Sequence, residues 1–99
     1  GPSAGAAMVL LILSAMKNIP VWQDTAITGE ISLQGRIKSV GGIQEKVNGA
    51  KQAGMKKVLI PKENLKDVSS YLNGIEIIPV ETIDEAMAHI FTTPFTPGT

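Results

Sequence analysis

Several residue types are rare or absent in this 99-residue sequence, and each absence excludes a class of site. There is no cysteine, which excludes disulfides and thiolate metal sites. His89 is the one histidine, so a metal site built from several histidines is excluded too. Nine basic residues balance nine acidic ones, which leaves no excess charge to attract nucleic acid or an anionic membrane. We therefore predict no metal site and no nucleic-acid partner.

The sequence also lacks a hydrophobic run that could cross a bilayer. The apolar stretch Ala6–Leu13 falls short of the ~20 residues that a transmembrane helix needs. The residues before it are not basic, unlike those of a secretory signal. We expect a buried helix here, no membrane segment and a cytoplasmic protein.

What the sequence does contain is enough apolar surface for one small core. Hydrophobic residues make up 43% of the chain and aromatic residues only 4%, so aliphatic side chains must form the core. Helical and strand periodicities alternate along the chain, which predicts a mixed α/β fold of the α+β class. The predicted elements are a helix over 3–16, a strand over 27–33, a turn over 33–36, a returning strand over 37–40, a helix over 43–54, a strand over 56–61, a surface helix over 62–72, a strand over 74–80 and a helix over 81–91.

Local signals mark where these helices begin and end. Asn18 and Pro20 end the first helix, which is apolar on every side and is therefore expected to be covered on most faces. Gly54 ends the second helix. Thr82 and Glu85 form a capping-box pattern at the start of the last helix.

Two residues in this pattern suggest chemistry. Ser3 opens the first predicted helix, where a serine ordinarily serves as an N-cap. Lys46 falls inside the apolar stripe of the 43–54 helix, where a lysine ordinarily extends to the surface. A lysine shielded from water, however, can accept the proton of a serine hydroxyl and so activate it as a nucleophile. The residues alone leave both interpretations open.

The surroundings of Ser3 favour the catalytic interpretation. Free backbone N–H groups at the start of a helix can hold an anionic oxygen. Gly1 and Gly5 leave room for a substrate backbone to approach. His89 alone does not make a Ser-His-Asp triad, because no carboxylate is placed beside it by the pattern.

Four stretches of the sequence together resemble the proteolytic domain of Lon proteases. They are "GPSAG" at 1–5, "TAITGEISLQGRI" at 25–37, "GGIQEK" at 41–46 and "AGMKKVLIPKEN" at 53–64. A looser resemblance continues through "IEIIPVETIDEAM". It implies a Lon proteolytic-domain fold, similar to domain 2 of ribosomal protein S5. We assign residues 1–91 to the C-terminal part of such a domain, without its N-terminal part, and 92–99 to a flexible tail.

The resemblance implies a serine endopeptidase that works with a Ser-Lys dyad. Ser3 corresponds to the nucleophile and Lys46 to the general base. Thr28 corresponds to the family threonine that positions the lysine. The other supporting residues belong to the serine motif: Gly1, Pro2 and Ala4.

The same resemblance implies partners beyond this chain. Expected substrates are peptides and misfolded or regulatory proteins, and the expected assembly is a homohexameric ring that includes the N-terminal part of the same domain. No cofactor is expected in this chain. It has no P-loop, so ATP and Mg²⁺ would belong to a separate ATPase module.

The sequence departs from the family pattern at three points. Trp22 stands where many members have arginine, and "KSV" at 38–40 replaces the usual Leu-Pro-Ile. The Lys-Asp pair that precedes the serine motif in the family is not in this sequence. The alternative is an anion-binding module in which the Gly-Ser helix start cradles a nucleotide phosphate and Lys46 pairs with it.

Overall fold

The computed structural model describes residues 3–68 and 74–93, with only the backbone of residues 3 and 4. The elements are β1 (Ser3–Gly5), α1 (Ala6–Lys17), β2 (Thr25–Ile27), β3 (Glu30–Ser32), β4 (Ile37–Lys38), α2 (Ile43–Gln52), β5 (Lys57–Pro61), a 3₁₀ helix (Lys62–Asp67), β6 (Glu76–Val80) and α3 (Ile83–Ile90).

Two three-stranded sheets organise the described residues. One is antiparallel, in the order β1-β3-β4, and contains the predicted hairpin, in which Ile31 pairs with Ile37. The other is parallel, in the order β2-β5-β6. Helix α2 lies in the connection between β2 and β5 and packs against β5, as parallel crossovers require. The prediction of a mixed α/β fold is confirmed.

The two sheets meet at Thr28 and Gly29, which separate β2 from β3. The alternating pattern predicts one strand over 27–33, and this prediction is wrong because the chain leaves the parallel sheet after Ile27. The backbone N–H of Thr28 donates to the Leu59 carbonyl at 3.0 Å, and the Gly29 carbonyl accepts from the Ala6 N–H at 2.9 Å. This junction therefore ties the start of α1 to β5.

Two apolar cores are present among the described residues, and the parallel sheet contributes to both. The first core contains buried side chains of α1, α3 and the antiparallel sheet, together with Leu59 of β5 and Val80 of β6. The second contains those of α2 and the parallel sheet, among them Val47 and Ile60. The backbone after α3 closes the first core, because the Thr92 N–H donates to the Pro20 carbonyl at 2.9 Å.

Helix α1 differs from its prediction in two ways. It begins at Ala6 rather than Ser3, because residues 3–5 pair with β3 as a strand. It is also not covered on most faces, since Ala6 and Leu10 are its only buried residues. Its exposed large apolar side chains are Met8, Leu11, Ile12 and Met16. The predicted end is confirmed, with Asn18 in the left-handed conformation at φ 56°.

The later elements follow the sequence patterns more closely. Gly54 has φ +84° after α2, as the C-terminal signal predicts. The Thr82 Oγ1 accepts from the Glu85 N–H at 3.2 Å, which confirms the N-cap of α3. The predicted helix over 62–72 is a 3₁₀ helix that ends at Asp67, and residues 69–73 lie outside the described part of the chain. The predicted flexible tail lies outside it from residue 94 onward.

Candidate active site

Ser3 lies in strand β1 and not at the N-cap of a helix. Its backbone pairs with Ser32 of β3, and Gly5 takes the N-cap position of α1 without a side-chain capping bond. The interpretation of Ser3 as a helix cap is therefore wrong. The Ser3 and Ala4 side chains, together with Gly1 and Pro2, lie outside the described part of the chain.

One of the N–H groups expected to be free beside Ser3 is already bonded. The Ala6 N–H is the first of α1, and it already donates to the Gly29 carbonyl at 2.9 Å. An N–H group that is committed to a protein carbonyl is not available to an anionic oxygen. The Ala6 amide therefore serves to join α1 to the junction between the sheets.

Lys46 lies in the first turn of α2, and its backbone N–H donates to the Gly42 carbonyl at 3.1 Å. Its side chain is exposed, so the expectation that it is buried in the apolar stripe is wrong for this chain. The reason is that the covered stripe is narrow. Ile43 and Val47 are buried, whereas Ala53 at the far end of the helix is exposed, and Lys46 lies at the edge of the Ile43–Val47 contact.

Thr28 is half-buried at the junction of the two sheets. Two residues further along the chain, Glu30 pairs with Gly5, so Thr28 lies close in register to the segment that carries Ser3. Among the described residues, no hydrogen bond joins Thr28 to Lys46. The roles of Ser3, Lys46 and Thr28 in one site therefore stay predictions.

A buried asparagine, which the sequence patterns did not single out, holds the loop before α2. Asn64 is 3% exposed. Its Oδ1 accepts from the Val40 N–H at 2.9 Å, and its Nδ2 donates to the Val40 carbonyl and to Asp67 Oδ2, each at 3.0 Å. The side chain thus pairs with both backbone groups of Val40, in the way that a neighbouring strand would. The sequence signal that could have pointed to Asn64 is its position at the end of "PKEN", the last part of a stretch that resembles the family.

The charged groups near the hairpin form a surface network. Glu81 pairs with Arg36 at 3.5 Å and with Lys62 at 3.2 Å, and all three side chains are substantially exposed. A groove of about 410 Å³ lies beside this network, lined mainly by residues 32–39. Exposed ion pairs of this kind contribute roughly 0.2–1 kcal/mol each. The network therefore fixes the hairpin only weakly against the segment that precedes α3.

Within the described ranges, no group of three or more histidine, aspartate or glutamate side chains is placed to hold a metal ion. In the same ranges, none of the helices combines the length and the apolar character needed to cross a bilayer.

A mixed α/β domain with Ser3 just before one helix and Lys46 in the first turn of another is compatible with a Ser-Lys hydrolase. The family model of the Lon protease (S16) C-terminal proteolytic domain matches residues 1–93. The chain belongs to this family.

Curated relatives carry the same family name. The Lon protease of Rhizobium meliloti (strain 1021) is 50% identical over 93 residues, which cover 90% of this chain and 12% of that protein. Lon protease 2 of Bacillus subtilis (strain 168) is 48% identical over 94 residues, which cover 95% of this chain and 17% of that protein. The chain thus spans only a small part of the length of these relatives.

Proposed function

We propose that this chain supplies the Ser-Lys dyad of a Lon-type serine endopeptidase. The observation that carries the proposal is the family match over residues 1–93, which includes both Ser3 and Lys46. The proposed fold is that of the Lon proteolytic domain. Its structural similarity to domain 2 of ribosomal protein S5 is part of the same proposal.

The proposed reaction proceeds through an acyl-enzyme. The Ser3 Oγ attacks the scissile carbonyl carbon while the Lys46 amine takes the hydroxyl proton. The same proton is passed to the leaving amine as the peptide C–N bond breaks. Water then attacks the ester carbonyl and gives a proton to the lysine. The lysine passes this proton to Ser3 Oγ as the ester C–O bond breaks, which frees the Ser3 hydroxyl and the neutral amine, and the product acid leaves and ionises.

The exposure of Lys46 sets a requirement on this mechanism. A lysine acts as a base when it is removed from water, and in this chain the side chain is exposed at the edge of α2. The proposal therefore requires that the assembled protein or the bound substrate covers Lys46. The N-terminal part of the same domain is the proposed cover.

The rest of the proposal concerns the whole protein. Its substrates are peptides and misfolded or regulatory proteins, its assembly is a homohexamer, and its location is the cytoplasm. ATP and Mg²⁺ would act in a separate ATPase module, outside the part of the protein that this chain spans. The name "Lon protease", which the relatives carry, supports the protein substrates.

The family match gives no support to the phosphate-binding alternative. This alternative requires Ser3 to stand at the open start of a helix, but α1 begins at Ala6 and the Ala6 N–H is bonded to Gly29. Saturable binding of a nucleotide that depends on Ser3 would restore this alternative.

Peptide hydrolysis by the full-length protein tests the dyad. Ser3→Ala and Lys46→Ala should each abolish cleavage of a fluorogenic peptide and of casein. Lys46→Arg should be nearly inactive, because a guanidinium stays protonated. Lys51→Ala removes another exposed lysine of α2 and should keep wild-type turnover.

Because Lys46 is exposed, its replacement should change the free energy of unfolding by no more than about 0.5 kcal/mol. Appreciable casein cleavage by the Ser3→Ala protein would refute the assignment.

A further inference from the structure

The segment from β5 through the 3₁₀ helix contacts Thr28 and the loop that precedes Lys46, the two residues that we propose to act with Ser3. Its Leu59 carbonyl accepts the Thr28 N–H at 3.0 Å. Its Asn64 side chain pairs with the N–H and the carbonyl of Val40, at 2.9 and 3.0 Å. The first contact holds the junction of the two sheets, and the second holds the loop that leads into α2.

Beyond the packing of the half-buried Val40 side chain against the second core, the loop into α2 consists of two glycines. Val40 is followed by Gly41 and Gly42, both exposed, and Gly42 has φ +66° as the N-cap of α2 without a side-chain capping bond. Two glycines in succession give the backbone wide conformational freedom. The Asn64 amide therefore limits the freedom of the chain just before the turn that contains Lys46.

The link from Asn64 to Lys46 is short and continuous. Val40 is followed by Gly41 and Gly42, and the Gly42 carbonyl accepts the Lys46 N–H at 3.1 Å. Buried Ile43 and Val47 anchor α2 on the sheet on either side of Lys46. A change at Asn64 should consequently free the loop and tilt the start of the first turn about these two contacts, while α2 stays on the sheet.

Asn64 is itself held in place. It is 3% exposed, and its Nδ2 also donates to Asp67 Oδ2 at 3.0 Å, within the same 3₁₀ helix. This second bond orients the amide so that its oxygen faces the Val40 N–H. A side chain fixed in this way can set the position of the groups it binds.

We propose that Asn64 is a positioning residue for the general base, which it places by clamping Val40 and thereby the first turn of α2. The inference rests on the proposed function, since it takes Lys46 as the base. Displacement of a catalytic group by about 1 Å costs on the order of 100-fold in rate. The effect of losing the clamp should therefore be on turnover, with substrate binding largely kept.

The test uses full-length protein with Asn64→Ala, which removes all three bonds, and Asn64→Asp, which keeps the acceptor for Val40 and loses the donors. The matched control is Ile90→Val or Ile90→Ala, whichever lowers the melting temperature by the same amount. Ile90 is buried in the other core, so it controls for lost stability alone. Lys46→Ala is measured in parallel, and Asn48→Ala serves as an exposed asparagine on α2.

We expect Asn64→Ala to lower kcat by about 10- to 100-fold with KM changed by less than about 3-fold. The stability-matched Ile90 variant and Asn48→Ala should keep kcat within about 3-fold of wild type. Hydrogen exchange at the Val40 amide should accelerate in Asn64→Ala and not in the Ile90 variant. Asn64→Asp should lie between Asn64→Ala and wild type in kcat, and it provides the comparison if Asn64→Ala does not fold.

Failure of this inference is distinct from failure of the dyad. If Lys46→Ala is inactive while Asn64→Ala matches the Ile90 variant in kcat, the positioning role is wrong and the dyad stands. If Lys46→Ala keeps wild-type turnover, the dyad is wrong and the positioning role falls with it. Unchanged exchange at Val40 in both Asn64 variants would overturn the clamp itself.

Discussion

At the scale of single residues, Gly29 has the tightest surroundings among the glycines that the structure describes. Its φ is +134°, and a Cβ placed on it would stand 2.9 Å from Ile37 Cγ2 and 3.1 Å from Pro61 Cγ. We predict that Gly29→Ala lowers the free energy of unfolding by about 2–4 kcal/mol, from backbone strain and overpacking together. Gly49→Ala is the control, since Gly49 lies within α2 with open space around it and should be neutral or stabilising by up to about 1 kcal/mol. Equal melting of the two variants in denaturant would contradict this account of the junction.

Thr28 carries a second prediction at this scale. Thr28→Val keeps the shape and the strand preference of the side chain but removes its hydroxyl. If the hydroxyl positions Lys46, turnover of the full-length protein should fall by about 10- to 1000-fold with little change in melting temperature. The control is Thr25→Val in β2, whose hydroxyl instead donates to Asp24 at 3.2 Å. Wild-type turnover in the Thr28 variant would show that this residue only builds the junction.

At the scale of elements, α1 presents an apolar face that the described chain does not cover. Met8, Leu11, Ile12 and Met16 are 52–73% exposed and lie on the side of the helix opposite Leu10. Contiguous exposed apolar surface favours association. We therefore predict that the 99-residue chain alone aggregates or associates with the N-terminal part of the domain. Light scattering should show less association for Ile12→Lys, and no change for Leu33→Lys, whose exposed side chain lies on the hairpin. A monodisperse wild-type monomer with a cooperative melting transition would contradict the prediction.

At the scale of the whole molecule, local patterns predicted the elements whose own residues carry a clear periodicity or a capping signal. The second helix, the β5 and β6 strands and the N-cap at Thr82 follow from periodicity and capping signals. The start of α1 could not be predicted, because pairing with β3 makes residues 3–5 a strand. The exposure of Lys46 depends on how much of α2 the sheet covers. A helical wheel shows the direction in which a side chain points but not the extent of this cover. Helical periodicity singled out Lys46 but left its role open, and the family motifs then assigned Ser3 and Lys46 to a dyad.

The proposed mechanism depends above all on Ser3 being a nucleophile that Lys46 activates. It is tested most directly by treating the full-length protein with a serine-reactive phosphonofluoridate and locating the adduct by peptide mass spectrometry. We expect an adduct on the peptide that contains Ser3. In Lys46→Ala this adduct should form at least about 100-fold more slowly than in the wild type. An unlabelled Ser3 in protein that cleaves casein, or equal labelling in wild type and Lys46→Ala, would contradict it.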